Sequence, residues 1–497
     1  MGLVPLKLES ESPMSLGTLP RRSLLQGALV ATAAAFNPIS RSWASNGEPG
    51  TLSVPTFDGQ LLLDAAVREQ AADDFGHSVH RTPWAVLVPG SVDDIVKVIR
   101  FARLHQLKVS GTRGIGESHS TQGQAQVEAG VLIDMSALST IHEVTANSAW
   151  VDAGVRWIQL LQATVPVGLS PPVLTDYIDL SVGGTLSVGG IGGQAFRHGL
   201  QVDNVLELEV VTGRGERVNC SPFHRKPLFD AVRSGLGQFG IIVRAKVRLV
   251  PVPPLARTYT AAYAQLSGLV ADQRKLIEDG RFDYVEGSIS LAGGVRTYHL
   301  EAVKYFRPEA PPNDAALLQG LAFQPGTVAV QDSTYFDFTN RLAPMVEQLK
   351  SLGAWQLPHP WLNVFVPGRS VTAYVEQVLN QTSDEELGQG PILLYPFHNR
   401  ELTAPFLRVP ADQHTFLLSL LRTAVPPTPE NVEALLAKNR LFLKQLADIG
   451  GKAYPISSGP QTPAEWSEHF QPLWGLFQSS KWAFDPDLVL TPGQRIF

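Results

Sequence analysis

PPVLTDYIDLSVGGTLSVGGIGGQAFRHGLQVDN, residues 171–204, holds six glycines in the eleven positions from Gly183 to Gly193, with Thr185 and Ser187 among them. Glycine at that density admits positive φ and lets the backbone come close to a bulky ligand, and free N–H groups in such turns cradle phosphate oxygens. The pattern suggests a dinucleotide site. Neither usual nucleotide signature is supported: GxxxxGK[ST] is absent, and GxGxxA, as Gly190 to Ala195 can be read, lacks a framing strand, helix and downstream ribose-binding acid. On the glycines alone, a flexible loop without a ligand is the plain alternative.

A second glycine-rich turn, RGIGESHSTQGQ at 113–124, sets His119 between Ser118 and Ser120. Further on come FRHG (196–199), VLELEVVTGRGE (205–216), SGLGQFGII (234–242) and the closing FDPDLVLTPGQRIF (484–497). Together these motifs resemble the cytokinin dehydrogenases, a family within the vanillyl-alcohol oxidase and p-cresol methylhydroxylase (PCMH) type of FAD flavoprotein. The likeness runs over roughly residues 71–497. It implies an α+β chain with a two-domain, PCMH-type FAD-binding fold and an inserted substrate cap made of an antiparallel sheet plus helices. The expected boundaries are 55–253 for the first part of the FAD domain, 254–449 for the cap and 450–497 for the C-terminal return.

At 497 residues the chain exceeds one ordinary core, which also argues for two domains. With 40 basic and 46 acidic residues the net charge is -6, so nucleic acid is not an expected partner. Cys220 is the only cysteine, which excludes an intrachain disulfide and any multi-cysteine metal site, and the twelve histidines show no HExxH spacing. No metal is expected. Arg21-Arg22-Ser-Leu-Leu-Gln-Gly leads into an apolar run at 28–36 and a small-residue segment ending near Ala44, which reads as a twin-arginine export signal over 1–44. The run is too short to span a bilayer, so a periplasmic or secreted protein with no membrane span is expected. A tail carrying a chance arginine pair is the alternative.

Local patterning supplies the elements. A strand is predicted at 85–88, stopped by Pro89-Gly90; Ser91 is a candidate N-cap, and Ile95, Val98, Ile99 and Ala102 recur at helical spacing. A strand at 107–110 would complete a βαβ unit that delivers the Arg113 turn at its end. More strands are predicted at 131–135, 150–155, 206–211 and 241–249, with a hairpin turn at 212–216 and a short helix at 228–232. Val250-Pro-Val-Pro-Pro254 breaks the pattern and marks a boundary. Beyond it, 345–352, 414–422 and 431–446 read as helices, and 284–290, 297–306 and 361–366 as strands of an antiparallel sheet.

The resemblance also assigns chemistry to residues. His119 matches the histidine that the family bonds to its flavin, although Glu117 takes that place when the motif is counted forward from Arg113. Asp176 matches the catalytic aspartate. A carboxylate suits that role, because taking hydride from a carbon beside an amine needs an acceptor for the N–H proton. Asp179 is the rival carboxylate, read as a solvated turn residue. Glu286 matches a glutamate that orients the adenine ring, against the plain reading of an exposed strand residue. Trp361, in HPWLN at 359–363, matches a pocket tryptophan, and Tyr395 with 392–394 adds to that wall. Gly116, Glu117, Ser118, Ser120, Gln124, Ser181, Ser187, Ile191, Ile242, Tyr454, Thr491 and Gln494 are the further FAD contacts implied.

The implied function is an FAD-dependent oxidoreductase acting on CH–NH bonds, cleaving the N6 isoprenoid side chain of an adenine and passing electrons to oxygen or a quinone. Two rivals stand beside it: a flavin oxidase of an alcohol, sugar or phenol on the same fold, and a binding protein that holds FAD or a hormone without turnover.

Overall fold

Ala85, Val86 and Leu87 have no exposed surface, as expected of a short apolar strand covered on both faces. The computed structural model describes residues 34–37, 42–45, 52–388 and 390–497. In it, β1 (Gln60–Leu62) pairs antiparallel with β2 (Ala85–Val88). Helix α1 (Val92–Leu104) leads to β3 (Val109–Thr112), and β4 (Val131–Asp134) follows. The βαβ unit is present with a difference: β4 slots between β2 and β3 and pairs parallel with both. Ser91 holds the N-cap position, but its hydroxyl donates to Asp58 at 2.6 Å and makes no cap bond. Asp94, wholly buried, instead ties the helix start to the chain around β1, accepting from the Asp58 and Gly59 amides at 2.8 Å and the Gly90 amide at 2.9 Å.

A second, antiparallel sheet uses β5 (Ile141–Val144), β6 (Ser148–Asp152), β7 (Val205–Thr212), β8 (Arg217–Cys220) and β9 (Gly240–Arg248), in the order β8-β7-β9-β6-β5. The turn between β7 and β8 is the anticipated hairpin, closed by the Thr212 amide on the Glu216 carbonyl at 3.0 Å. The third sheet has eight strands, all antiparallel. They are β10 (Leu255–Tyr263), β11 (Tyr284–Ala292), β12 (Val295–Phe306), β13 (Ala329–Thr334), β14 (Leu362–Pro367), β15 (Ile392–His398), β16 (His414–Leu420) and β17 (Lys452–Ala453). Their order is β13-β10-β12-β11-β15-β16-β14-β17. Helix α2 (Leu266–Asp279) and the helices Val371–Asn380 and Pro429–Asp448 pack against it.

One expected helix is a strand. Residues 414–420 form β16, hydrogen-bonded between β14 and β15. Thr415 to Leu420 are all buried, and a short run covered on both faces carries no period that separates strand from helix.

The glycine-rich segment lies against this sheet. The Val285 amide donates to the Gly193 carbonyl at 3.0 Å, and a Cβ on Gly193 would stand 2.6 Å from the Tyr284 ring. Gly190 has φ +73°, and a Cβ there would meet the Gln201 amide oxygen at 2.0 Å. The chain's end returns to β3, where Leu490 bridges Val109 in parallel and the Thr491 amide donates to the Val109 carbonyl at 2.8 Å.

Residues 1–54 form a separate unit in which Ala34–Asn37 pairs antiparallel with Ser42–Ser45 and Leu52–Ser53. The remainder of the export-signal reading, with its arginine pair, lies outside the described residues. Among the described residues no helix is long and apolar enough to cross a membrane.

Candidate active site

The turn carrying His119 is pegged by Asp74. That side chain is fully buried, and its carboxylate accepts from the Ser120 hydroxyl at 2.8 Å, the Gly123 amide at 2.7 Å and the Gly76 amide at 3.0 Å. The Phe75 amide adds a bond to the Ser118 carbonyl at 2.8 Å. Burial pushes the Asp74 carboxyl up to about 7 against the pull of those donors. Ser118 and Ser120 are linked through their hydroxyls at 3.2 Å.

Glu117 and His119, the two candidates for one motif position, have different surroundings. Glu117 is exposed and lies 3.5 Å from the Arg113 guanidinium, while Gly116 is exposed beside Gln70. His119 stands in an aromatic cage. Its ring stacks on Phe75 at 4.2 Å between centroids, with Tyr177 at 4.9 Å, Trp361 at 5.6 Å and Trp355 at 6.0 Å. His359 covers the cage, 4.2 Å from Phe75. Part of the residue's surface stays open, yet enclosure of the ring, then the nearby His359, push the His119 imidazole down to about 3. The ring is therefore neutral at neutral pH, and among the described residues no hydrogen bond reaches either of its nitrogens.

Asp176 precedes Tyr177, so one loop presents both the cage and a carboxylate. Oδ1 of Asp176 accepts from the Tyr284 hydroxyl at 2.7 Å and from Nη2 of Arg341 at 2.9 Å, and Oδ2 accepts from the Tyr395 hydroxyl. Glu286, two residues beyond Tyr284 on β11, meets the Tyr284 hydroxyl at 2.5 Å and Nη2 of Arg341 at 3.3 Å. Glu301, on β12, is the cross-strand partner of Glu286 and pairs with Nε of Arg341 at 3.2 Å. Burial, then the charges of Asp176 and Glu301, push the Glu286 carboxyl well above the usual carboxylate range.

Proton accounting then orients the network. A tyrosine hydroxyl has one proton to give. Tyr284 contacts two carboxylates and also accepts from Arg341 at 2.6 Å, so one of those contacts needs a proton from the carboxyl side. Glu286 is the group positioned to hold it: donation runs from Glu286 to Tyr284 to Asp176, and Asp176 is the terminal acceptor. Asp179 is elsewhere, in an ion pair with Arg156 at 2.6 Å.

Most of the other anticipated residues line the two turns. Ser181 caps the short helix Val182–Leu186 by accepting from the Gly184 amide at 3.3 Å, and the Ser187 hydroxyl donates to the Gly183 carbonyl at 2.8 Å. Ile191 is buried on the same loop. The Tyr454 hydroxyl accepts from the Gly190 amide at 3.0 Å, and the Gln124 side chain donates to the Ser457 carbonyl at 3.1 Å, so residues 454–457 fasten both turns. Ile242 lies within β9 opposite Val210. The Thr491 hydroxyl donates to the Gly237 carbonyl at 2.8 Å, and the Gln494 carbonyl accepts from the Trp466 indole at 2.9 Å. None of these last three touches the carboxylate cluster. Tyr395 does more than supply a wall, since its hydroxyl serves Asp176.

Sequence reasoning passed over Arg341, Tyr284, Asp74, Phe75, Tyr177 and Trp355. Tyr284 had a signal, because residues two apart on a strand share a face and it sits two before Glu286. Arg341 had none.

The donor set suits a flavin dinucleotide. Glycines stand where the loop backbone is closest packed, serine hydroxyls line both turns, and a neutral imidazole with unbonded nitrogens sits in an aromatic cage whose Tyr177 follows the acceptor carboxylate of Asp176 in the chain. The class is thereby defined as an FAD-dependent oxidoreductase, and the family described as "FAD binding domain" matches residues 83–221. The solved structure of 6-hydroxy-D-nicotine oxidase from Arthrobacter nicotinovorans shares the fold, with a TM-score of 0.66 over 90% of this chain and 99% of that one at 20% identity.

The more particular match is to "Cytokinin dehydrogenase 1, FAD and cytokinin binding", over residues 292–497. Cytokinin dehydrogenase 9 of Oryza sativa subsp. japonica is 36% identical, covering 90% of this chain and 92% of its own length. Cytokinin dehydrogenase 1 of Arabidopsis thaliana is 35% identical over 89% of this chain and 83% of its own. An uncharacterized oxidoreductase in the fasciation locus of Rhodococcoides fascians is 40% identical over 86% of this chain and 96% of its own. The chain belongs to the cytokinin dehydrogenase family.

Proposed function

We propose that this enzyme cleaves the N6 isoprenoid side chain of cytokinins, releasing adenine and an unsaturated aldehyde. The observation that carries the reading is Asp176, a half-buried carboxylate that ends a chain of donors and is one residue from the cage of His119. A carboxylate offers about four lone-pair sites. Tyr284, Arg341 and Tyr395 occupy three of them, which leaves one for the N–H proton of the substrate amine. FAD, when bound, supplies the hydride acceptor for the carbon next to N6, and oxygen or a quinone later takes its electrons. Water hydrolyses the resulting imine of the side chain.

Glu286, whose one proton is directed to Tyr284, can accept through Oε1 from an adenine N–H and so orient the substrate. Trp361 lines the side-chain end. His119 would hold the flavin covalently when FAD is bound, with 55–253 and 450–497 forming the cofactor part and 254–449 the substrate cap. A flavin oxidase of alcohols, sugars or phenols would have no use for Asp176 and Glu286 in one buried network. Incubation with isopentenyladenine and a dye acceptor is expected to bleach the dye and yield adenine; an unbleached dye alongside turnover of an alcohol would transfer the assignment to the rival.

Export through a twin-arginine signal belongs to the same reading, supported by Arg21-Arg22 ahead of the apolar run. Replacing both arginines with lysine should trap the chain in the cytoplasm. Unaltered export of that variant would remove the assignment.

A further inference from the structure

We propose that Glu278, His398 and His414 form a binding site for a divalent first-row transition ion, with Zn2+ the ion of choice. The three side chains come from separate elements. His398 ends β15, His414 begins β16, and the two are direct cross-strand partners with ring centroids 5.0 Å apart. Glu278 reaches them from the last turn of α2, its Oε1 lying 2.6 Å from Nε2 of His414 and accepting from the Gln413 side-chain amide at 3.2 Å. One donor atom from each residue lies within 4.8 Å of the other two.

The His414–Glu278 hydrogen bond satisfies those two residues in the ordinary way. It does not satisfy His398. That ring is 1% exposed, and its Nε2 meets the Ile277 carbonyl at 3.0 Å, which makes Nε2 the protonated nitrogen. Nδ1 is buried with no hydrogen-bond partner. A bare lone pair on a fixed tautomer, oriented through the opposite nitrogen by a backbone carbonyl, is the arrangement metal-ligating histidines use.

Two imidazoles and a carboxylate, with water in the fourth position, are a known open set for Zn2+, whereas Mg2+ and Ca2+ favour oxygen ligands alone. Bonds of about 2.1 Å bring tetrahedral donors to roughly 3.4 Å apart, so donors now up to 4.8 Å apart close by at most about 1.4 Å while the Glu278–His414 pair, at 2.6 Å, opens by about 0.8 Å. Glu278, whose side chain is 44% exposed, has the freedom to do so. An ion here would join α2 to two neighbouring strands of the eight-stranded sheet. None of the three residues belongs to the flavin or substrate set.

Calorimetric titration of tag-free holoenzyme with ZnCl2 is expected to show one ion bound per chain. His414→Gln and Glu278→Gln, the second a surface change that leaves the fold undisturbed, should each weaken binding by about tenfold or more. MgCl2 should give no comparable binding. Wild-type affinity in either variant, no Zn2+ binding by the unsubstituted enzyme, or equal binding of Mg2+ would each overturn the proposal.

Discussion

Asp176→Asn is expected to keep its flavin and lose most of its rate. The substitution preserves the volume of the side chain but replaces one acceptor oxygen with an NH2 group. Every neighbour in reach is a donor: the Tyr284 and Tyr395 hydroxyls and Nη2 of Arg341 all point at the carboxylate. One of them must then face another donor, and no oxygen remains that readily accepts the N–H proton. Loss of a general base costs about 10²- to 10⁴-fold, so anaerobic reduction of the flavin by isopentenyladenine in a rapid-mixing instrument should slow by two orders of magnitude or more. The comparison that isolates chemistry from folding is Asp179→Asn. Asp179 is held by Arg156 at 2.6 Å, outside the cluster, and its variant should reduce within a few-fold of wild type. Reduction at near wild-type rate in the Asp176 variant would take that residue out of the mechanism.

The network also explains which parts of the site could be read from the chain. The two glycine-rich turns, the hairpin at 212–216 and the helix over Pro429–Asp448 were legible because each is specified by residues close in sequence. Asp176 and Glu286 were found through motifs, and the structure adds how they meet. Arg341 joins them from 165 positions beyond Asp176, and Asp74 pegs a turn 46 positions away through Ser120. Neither carries a local signal, since a lone arginine in FDFTNRLAP or an aspartate in ADDFG reads as an ordinary surface charge. The sheet failed in the same way. β4 enters between β2 and β3, and His414–Leu420 becomes a strand only because β14 and β15 supply its hydrogen bonds. Long-range pairing and burial decide such cases, and sequence periodicity does not record them.

His119→Ala should yield a protein whose acid precipitate is colourless, while Glu117→Gln should leave a yellow pellet. Counted from one end of its motif or the other, the sequence assigned the flavin bond to either position; the surroundings favour one. Glu117 is an exposed acid 3.5 Å from the Arg113 guanidinium, outside the aromatic cage. The His119 ring is caged by Phe75, Tyr177 and Trp361 and has no hydrogen-bond partner for its nitrogens among the described residues. The same enclosure fixes a pH dependence. Burial disfavours the charged imidazolium, and with the ring pushed down to about 3 the neutral, nucleophilic form persists at every pH above that value. An ordinary histidine, titrating near 6.5, would be neutral in only about 3% of molecules at pH 5, a loss of roughly thirtyfold relative to pH 8. In an Asp74→Asn background, where the carboxyl pegging the turn, pushed up to about 7, no longer titrates, attachment of FAD to the apoprotein, followed as acid-stable yellow colour, is accordingly expected to proceed at nearly the same rate from pH 5 to pH 8. A rate that falls away below pH 6.5 would mean the cage leaves the ring open to protonation, and a colourless pellet from the Glu117 variant would move the bond to the other count of the motif.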